Sequence, residues 1–144
     1  MEKVTRGDLP TIAAQLLAKL PQEGTHACVV ALKGELGSGK TTFMQALARE
    51  LGFDATVQSP TYVLMKSYPV SFGRFTKLVH IDAYRLEKPE EFAQLAPQSF
   101  LHDPGALVCV EWPERLGNML PTPDATVEFS SLGTPEDVRL VQIS

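Results

Sequence analysis

The octet Gly34-Glu35-Leu36-Gly37-Ser38-Gly39-Lys40-Thr41 fits G-x-x-x-x-G-K-[ST], a phosphate-cradling loop that works only between a strand and a helix. It therefore constrains the local fold as well as the chemistry. Its glycines let the backbone curl around phosphate oxygens with N–H groups turned inward. Lys40 is placed to reach the β and γ phosphates, and Thr41 to offer a hydroxyl to Mg²⁺. The flanks agree with this reading. Ala27 to Leu32 is an apolar run of strand length, and Thr42 to Leu51 carries Phe43, Ala46, Leu47 and Leu51 on one side, as a helix would. A glycine-rich turn that binds nothing would not need that order of elements.

At 144 residues the chain has room for one hydrophobic core, and no linker interrupts it, so residues 1–144 are expected to form a single domain. No apolar run is long enough to span a bilayer. Met1-Glu2-Lys3 leads into a helical pattern rather than an apolar leader, which predicts a cytoplasmic location. The formal charge of -4 argues against a clustered basic face of the kind that grips a nucleic acid backbone. Protein partners are expected instead, with no DNA and no membrane. Cys28 and Cys109 lie inside apolar runs without metal-ligand spacing and are expected to be buried, reduced thiols.

Along the chain, Leu9 to Leu20 places Ile12, Ala13, Leu16, Leu17 and Leu20 at helical spacing, with Asp8 as its cap and Pro21 as its stop. Val57 to Tyr62 is a polar segment with a proline, leading into a strand over Tyr62 to Tyr68. A turn at Ser71 to Arg74, a strand over Phe75 to Ala83 and a short helix over Pro89 to Leu95 follow. Leu107 to Val110 resembles the run before the loop in being apolar throughout, as strands buried on both faces are. Two such runs predict a central parallel sheet. In the tail, Ala125, Val127 and Phe129 alternate with polar residues, Gly133-Thr134-Pro135 turns, and Val138, Leu140 and Gln142 alternate again, which predicts a terminal antiparallel hairpin.

A phosphate loop alone only binds, so catalysis is sought in carboxylates at the ends of neighbouring strands, where open α/β sheets place their ligands. Asp82 closes Leu78-Val79-His80-Ile81, and Glu111 closes Leu107-Val108-Cys109-Val110. Either acid suits the magnesium shell or the attacking water, and spacing does not decide between them. His80 shares a strand face with Asp82; it either tunes that acid or is hydrogen-bonded within the sheet. Thr61 offers a further hydroxyl as a γ-phosphate sensor or is a turn residue, and Trp112 either flanks the nucleotide or plugs the sheet end.

Four motifs in order, G-E-L-G-S-G-K-T-T at Gly34 to Thr42, S-P-T-Y at Ser59 to Tyr62, H-I-D-A-Y-R-L at His80 to Leu86 and V-E-W-P at Val110 to Pro113, closely resemble the TsaE (YjeE) family. That family supplies the ATPase of bacterial tRNA threonylcarbamoyladenosine synthesis. The resemblance implies an α/β fold, a P-loop NTPase-like three-layer arrangement with a mostly parallel central sheet and a C-terminal antiparallel hairpin. It also implies ATP or ADP with Mg²⁺ as cofactors and TsaB and TsaD as partners, which modify adenosine at position 37 of tRNAs reading codons that begin with A. The tRNA itself would be reached only through that complex. By matching motif, Gly37, Ser38, Gly39, Lys40, Thr41 and Thr42 would hold the phosphates, with Glu35 and Leu36 in the same loop. Thr41 and Glu111 would hold the metal, and Asp82 the hydrolytic water or metal shell, so that Lys40, Asp82 and Glu111 form the catalytic set. Thr61 would be the switch residue, Trp112 would lie beside the nucleotide, and Asp8 and Thr11 would approach the base. Glu35 stands where the family often has Asp and Ser38 where Ala is common, neither side chain being required by a loop that works through backbone N–H groups. Beyond Pro113 the match is loose.

Two other classes use the same loop. A small-molecule kinase would need an arginine-rich phosphate clamp, whereas the six arginines are scattered from Arg6 to Arg139. A GTPase switch would need N-K-x-D and D-x-x-G, and the sequence has neither. With no obvious arginine finger, the chain is expected to be a weak ATPase alone and to gain activity from its partners.

Overall fold

The two apolar runs sit side by side at the centre of the molecule. The computed structural model describes residues 1–35, 37–54, 64–131 and 133–144. Its strands are β1 (Glu2–Thr5), β2 (Cys28–Lys33), β3 (Met65–Phe72), β4 (Phe75–Asp82), β5 (Ala106–Glu111), β6 (Ala125–Ser130) and β7 (Val138–Ile143). They form one sheet in the order β1-β7-β6-β2-β5-β4-β3. The inner pairings, β6 with β2, β2 with β5 and β5 with β4, are parallel. The outer ones, β1 with β7, β7 with β6 and β4 with β3, are antiparallel. Strands buried on both faces carry apolar side chains at every position, which is why β2 and β5 read as unbroken runs.

Alternation along these strands divides the core in two. Cys28, Val30, Leu32, Leu78, Leu107 and Cys109 face helices α1 (Leu9–Lys19) and α2 (Lys40–Glu50). Val29, Val79, Ile81, Val108 and Val110 face the opposite layer, where Phe92, Phe100 and Leu116 come from 3-10 turns Pro89–Leu95 and Pro113–Met119 and the short helix α3 (Gln98–Leu101). The result is the expected three-layer α/β arrangement. Helix α2 is fastened by Phe43, Met44, Leu47 and Ala48, all fully buried, with Phe43 against Phe129 of β6 at 5.4 Å between ring centroids. A buried Phe of this kind is worth about 3–5 kcal/mol against Ala. That packing holds the loop at the head of α2 against the sheet.

The terminal hairpin forms as β6 and β7, but it does not end the sheet. The first residues, which the sequence pattern runs into a helix, form β1 and pair with the outer edge of β7, Glu2 opposite Val141 and Thr5 opposite Val138. Only Val4 of β1 is buried, so the segment carries no periodic signal of its own, and its partner lies at the far end of the chain. Asp8 occupies the position before α1, but its carboxylate points backward. It accepts hydrogen bonds from the Thr5 N–H (2.8 Å) and Thr5 hydroxyl (3.1 Å), closing the turn Arg6–Asp8 instead of capping α1.

On the other margin, β3 begins at Met65 and runs on to Phe72; the expected start at Tyr62 lies outside the described residues. The turn narrows to Gly73, at φ 56°, and Arg74. Pro69, which lacks an N–H to donate, is tolerated in β3 because this strand is an edge, and the register shifts just after it. The helix expected over Pro89 to Leu95 is a 3-10 turn that ends at Ala96, whose φ is 52°. Both cysteines are free and buried, and desolvation pushes each thiol above its ordinary range. Among the described residues, no helix is long and apolar enough to cross a membrane.

Candidate functional site

The loop leaves β2 at Gly34, whose φ of 148° a side chain rarely adopts. A Cβ there would sit 2.6 Å from the Ser38 hydroxyl oxygen and 2.7 Å from the Phe129 carbonyl oxygen, so only glycine fits. Gly37 (φ 76°) and Gly39 (φ 106°) complete the curl, and Gly39 delivers the chain into α2. Thr41 and Thr42, both half-buried, stand in the first turn of that helix, where free N–H groups and the positive dipole end favour an anion. Leu36 lies outside the described residues, as do Ser59, Pro60, Thr61 and Tyr62.

Parallel register brings the two acids beside this loop. Glu111 lies opposite Leu32 of β2 on one side and Asp82 of β4 on the other. The ladder continues one step past β4, where the Ala83 N–H donates to the Glu111 carbonyl at 3.1 Å. Glu111 is 4% exposed, Lys40 5% and His80 0%, so three ionisable side chains share a dry space. Lys40 Nζ donates to the Gly34 carbonyl at 2.6 Å, lies 3.9 Å from Glu111 Oε1, and sits 4.3 Å from the Trp112 ring centroid. Burial holds the Lys40 ammonium below the usual lysine range against the pull of Glu111 and Asp82. The other Glu111 oxygen, Oε2, is 2.6 Å from His80 Nε2.

Asp82 is half-buried, and its Oδ1 accepts the Tyr84 N–H at 3.0 Å. Desolvation, aided by the neighbouring Glu111 charge, raises its carboxyl above the ordinary value despite that hydrogen bond. Trp112 follows Glu111 in a left-handed conformation, φ 57°, with Tyr84 5.1 Å from its ring. The indole is thereby held over Lys40. His80 makes its hydrogen bond within the sheet, to Glu111 on the neighbouring strand.

Glu35 is occupied elsewhere. Its carboxylate accepts hydrogen bonds from the Ser131 N–H and hydroxyl, both at 2.8 Å, and these hold it below the usual carboxylate range. The loop is thereby tied to the chain leaving β6. Ser38 is fully buried, and its hydroxyl has no partner among the described residues.

Beside the loop opens a cavity of about 440 Å³, lined among others by Val4, Arg6, Leu9, Ser38, Gly39 and Arg139. Asp8 and Thr11 are exposed and do not line it. The Arg139 guanidinium donates to the carbonyls of Glu136 (2.7 Å), Val138 (2.9 Å) and Gly37 (3.4 Å). In the sequence Arg6 and Arg139 are two scattered cations near opposite ends of the chain. Both line this cavity because β1 pairs with β7, Val4 opposite Arg139, and no local spacing carries that signal.

Residues 6–139 match the family model described as threonylcarbamoyl adenosine biosynthesis protein TsaE. The chain is 37% identical over 117 residues to the tRNA threonylcarbamoyladenosine biosynthesis protein TsaE of Treponema pallidum, covering 81% of each chain. It is 31% identical over 128 residues to the protein of the same name from Haemophilus influenzae, covering 89% of this chain and 77% of that one. Its fold is similar to the crystal structure of Bacillus subtilis YdiB, with a TM-score of 0.67 and 27% identity over 99% of this chain and 83% of that one. The phosphate loop, the two acids that parallel register sets beside it and these likenesses agree, and the chain belongs to the TsaE family of threonylcarbamoyladenosine biosynthesis proteins.

Proposed function

We propose that the protein binds ATP with Mg²⁺ at the Gly34 to Thr42 loop and hydrolyses it for the formation of threonylcarbamoyladenosine in tRNA, working in the cytoplasm with TsaB and TsaD proteins. One observation carries the reading: a buried lysine and a buried glutamate stand side by side where the loop meets the parallel strands. A dry site makes each charge count for more and needs no reorganisation when phosphate charge develops.

The donor set suits both groups. Thr41 supplies a hydroxyl, and Glu111 and Asp82 supply hard carboxylate oxygens. Among the described residues, no cluster of three or more His, Cys, Asp or Glu side chains could cage a metal alone. Mg²⁺ needs no such cage, since it takes one or two carboxylates and completes its shell with water and phosphate. The unpartnered Ser38 hydroxyl lines the cavity at the loop and gains an acceptor when phosphate binds. Bound Mg²⁺ would neutralise charge on the β and γ oxygens.

In this reading Lys40 contacts the β and γ phosphates, and the N–H groups of Gly37 and Gly39 hold the remaining oxygens, while the Ser38 N–H closes the loop on the Glu35 carbonyl at 3.2 Å. Glu111 and Thr41 hold the metal, and Asp82 orients the attacking water or joins the metal shell. The base occupies the cavity between Leu9 and Arg139, with Asp8 and Thr11 on its approach and Thr61 as the switch. Because three carbonyls hold the Arg139 guanidinium, transition-state charge falls to Lys40 and the metal until a partner closes the site. The test is ATP hydrolysis with and without TsaB and TsaD, with Trp112 fluorescence reporting nucleotide binding. At least about a tenfold rise in turnover with both partners is expected, since a charge supplied in trans is worth 10³-fold or more in related phosphoryl transfers. Equal turnover without them removes the partners' role, and no turnover in either case removes the ATPase.

A further inference from the structure

We propose that His80 is a positioning residue for Glu111, committing one carboxylate oxygen to its imidazole so that the other faces Lys40 and the metal position. The proposal rests on the ATPase reading above and adds a residue to it.

Glu111 projects from the last position of β5 on a side chain with three rotatable bonds, and fixing such a chain costs rotamer freedom. Something must hold it. Lys40 does not, because its short bond goes to the Gly34 carbonyl at 2.6 Å, while Glu111 Oε1 is 3.9 Å away, beyond hydrogen-bond reach. Among the described residues, His80 alone has a side-chain atom within hydrogen-bond distance of the Glu111 carboxylate. Nε2–H donates and Oε2 accepts at 2.6 Å.

Strand register makes this contact possible. His80 lies opposite Cys109, two positions before Glu111, so the imidazole crosses one diagonal of the β4–β5 ladder on the face that carries the loop. Asp82 is placed differently, by the Tyr84 N–H of its own chain. One acid is thus oriented by local backbone and the other by a neighbouring strand.

Stability does not account for the histidine. His80 is 0% exposed, and its Nδ1 has no partner among the described residues. An unsatisfied buried polar atom is destabilising, a cost that an apolar side chain on the same strand would not incur. The gain lies in what Nε2 holds. Groups that orient a metal-binding carboxylate typically change affinity or activity about 10–100-fold when removed.

The experiment compares wild type, His80→Leu, His80→Gln, Glu111→Ala and the His80→Leu/Glu111→Ala double variant, each with TsaB and TsaD. Three quantities are read: steady-state ATP hydrolysis, the Mg²⁺ needed for half-maximal ADP binding by calorimetry, and Tm. His80→Leu is expected to lower kcat about 10–100-fold with less than about threefold change in KM for ATP, and to raise the Mg²⁺ requirement about tenfold. His80→Gln, whose amide can donate from nearly the same place, should recover most of both. In the Glu111→Ala background His80→Leu should add less than about threefold, because its effect runs through the missing carboxylate.

Unchanged kcat and Mg²⁺ requirement in His80→Leu would overturn the proposal. So would equal damage in the Leu and Gln variants tracking their loss of Tm, or a full additive loss in the double variant. If His80→Leu does not fold, His80→Gln against His80→Asn makes the same comparison, since both bury an amide and only the longer reaches Oε2. A wild-type assembly that hydrolyses no ATP overturns the ATPase reading instead, and the Mg²⁺ requirement for ADP then decides the positioning role alone.

Discussion

The two sides of the phosphate loop are built from opposite materials. Toward β5 and β4, Lys40, Glu111 and His80 are almost wholly buried, His80 hydrogen-bonded to Glu111 and Lys40 held by the Gly34 carbonyl 3.9 Å from that acid. Toward the paired chain ends, Arg6, Glu35, Glu136 and Asp137 are exposed and Arg139 is half-buried, holding backbone carbonyls across a surface turn. Charges on the first side act through a low dielectric and are fixed in advance; those on the second share their field with water. The dry side is suited to stabilising charge that develops during reaction, and the wet side to admitting and releasing a ligand.

The largest break in that division should come from Lys40→Ala. Removing the buried cation should cut kcat/KM about 10²–10³-fold in steady-state hydrolysis with both partners. It should also leave Glu111 without its nearest positive charge. A loss of less than tenfold would place the reacting phosphate away from the dry side.

A smaller and different effect is expected from Arg139→Ala. The cavity would lose one of its two arginines while the buried cluster stays intact, so ADP affinity should fall about 3–10-fold by calorimetry, with kcat changed less than about threefold. If Arg139→Ala instead lowers kcat as far as Lys40→Ala does, the wet side takes part in the chemistry and the division is wrong.

The smallest effect concerns the tether between Glu35 and Ser131. Hydrogen bonds from Ser131 hold the Glu35 carboxyl below its ordinary value of 4.5, so the unfolded chain binds the proton more readily than the folded one. The resulting stability is fully present above 4.5 and is lost as pH falls through the depressed folded value. Because the group is exposed, solvent screening limits it to under about 0.5 kcal/mol. Thermal unfolding from neutral to acid pH should show wild type above Glu35→Gln by about 1–2 °C near neutrality. The gap should close in acid. A gap that persists below the carboxylate range would mean the Gln variant loses something other than this charge.

Much of the dry side is legible in the amino-acid sequence. Apolar runs before Gly34 and before Glu111 announce strands buried on both faces, and an acid closing such a strand is conspicuous because burying a lone charge is costly. What the runs could not convey was which acid pairs with which base. His80 and Asp82 share a strand face, which suggests a local pair, yet the imidazole reaches the acid on the neighbouring strand. A one-residue change of register between β4 and β5 would have turned His80 and Glu111 to opposite faces of the sheet.

The wet side was scarcely legible. β1 has one buried residue and no periodicity, and Arg6 and Arg139 stand near opposite ends of the chain. The sequence by itself determined the strand, loop and helix around Lys40, the apolar centre of the sheet and the identity of the acids. Those features follow from backbone freedom at glycine and from side-chain periodicity, which act over a few residues. Tertiary structure alone decided the partner of Glu111, the pairing of β1 with β7 and the placing of both arginines on one cavity beside the loop. Each depends on strand edges that pair only after distant segments have been brought together, and the loop entropy and burial that settle such pairings belong to the whole chain.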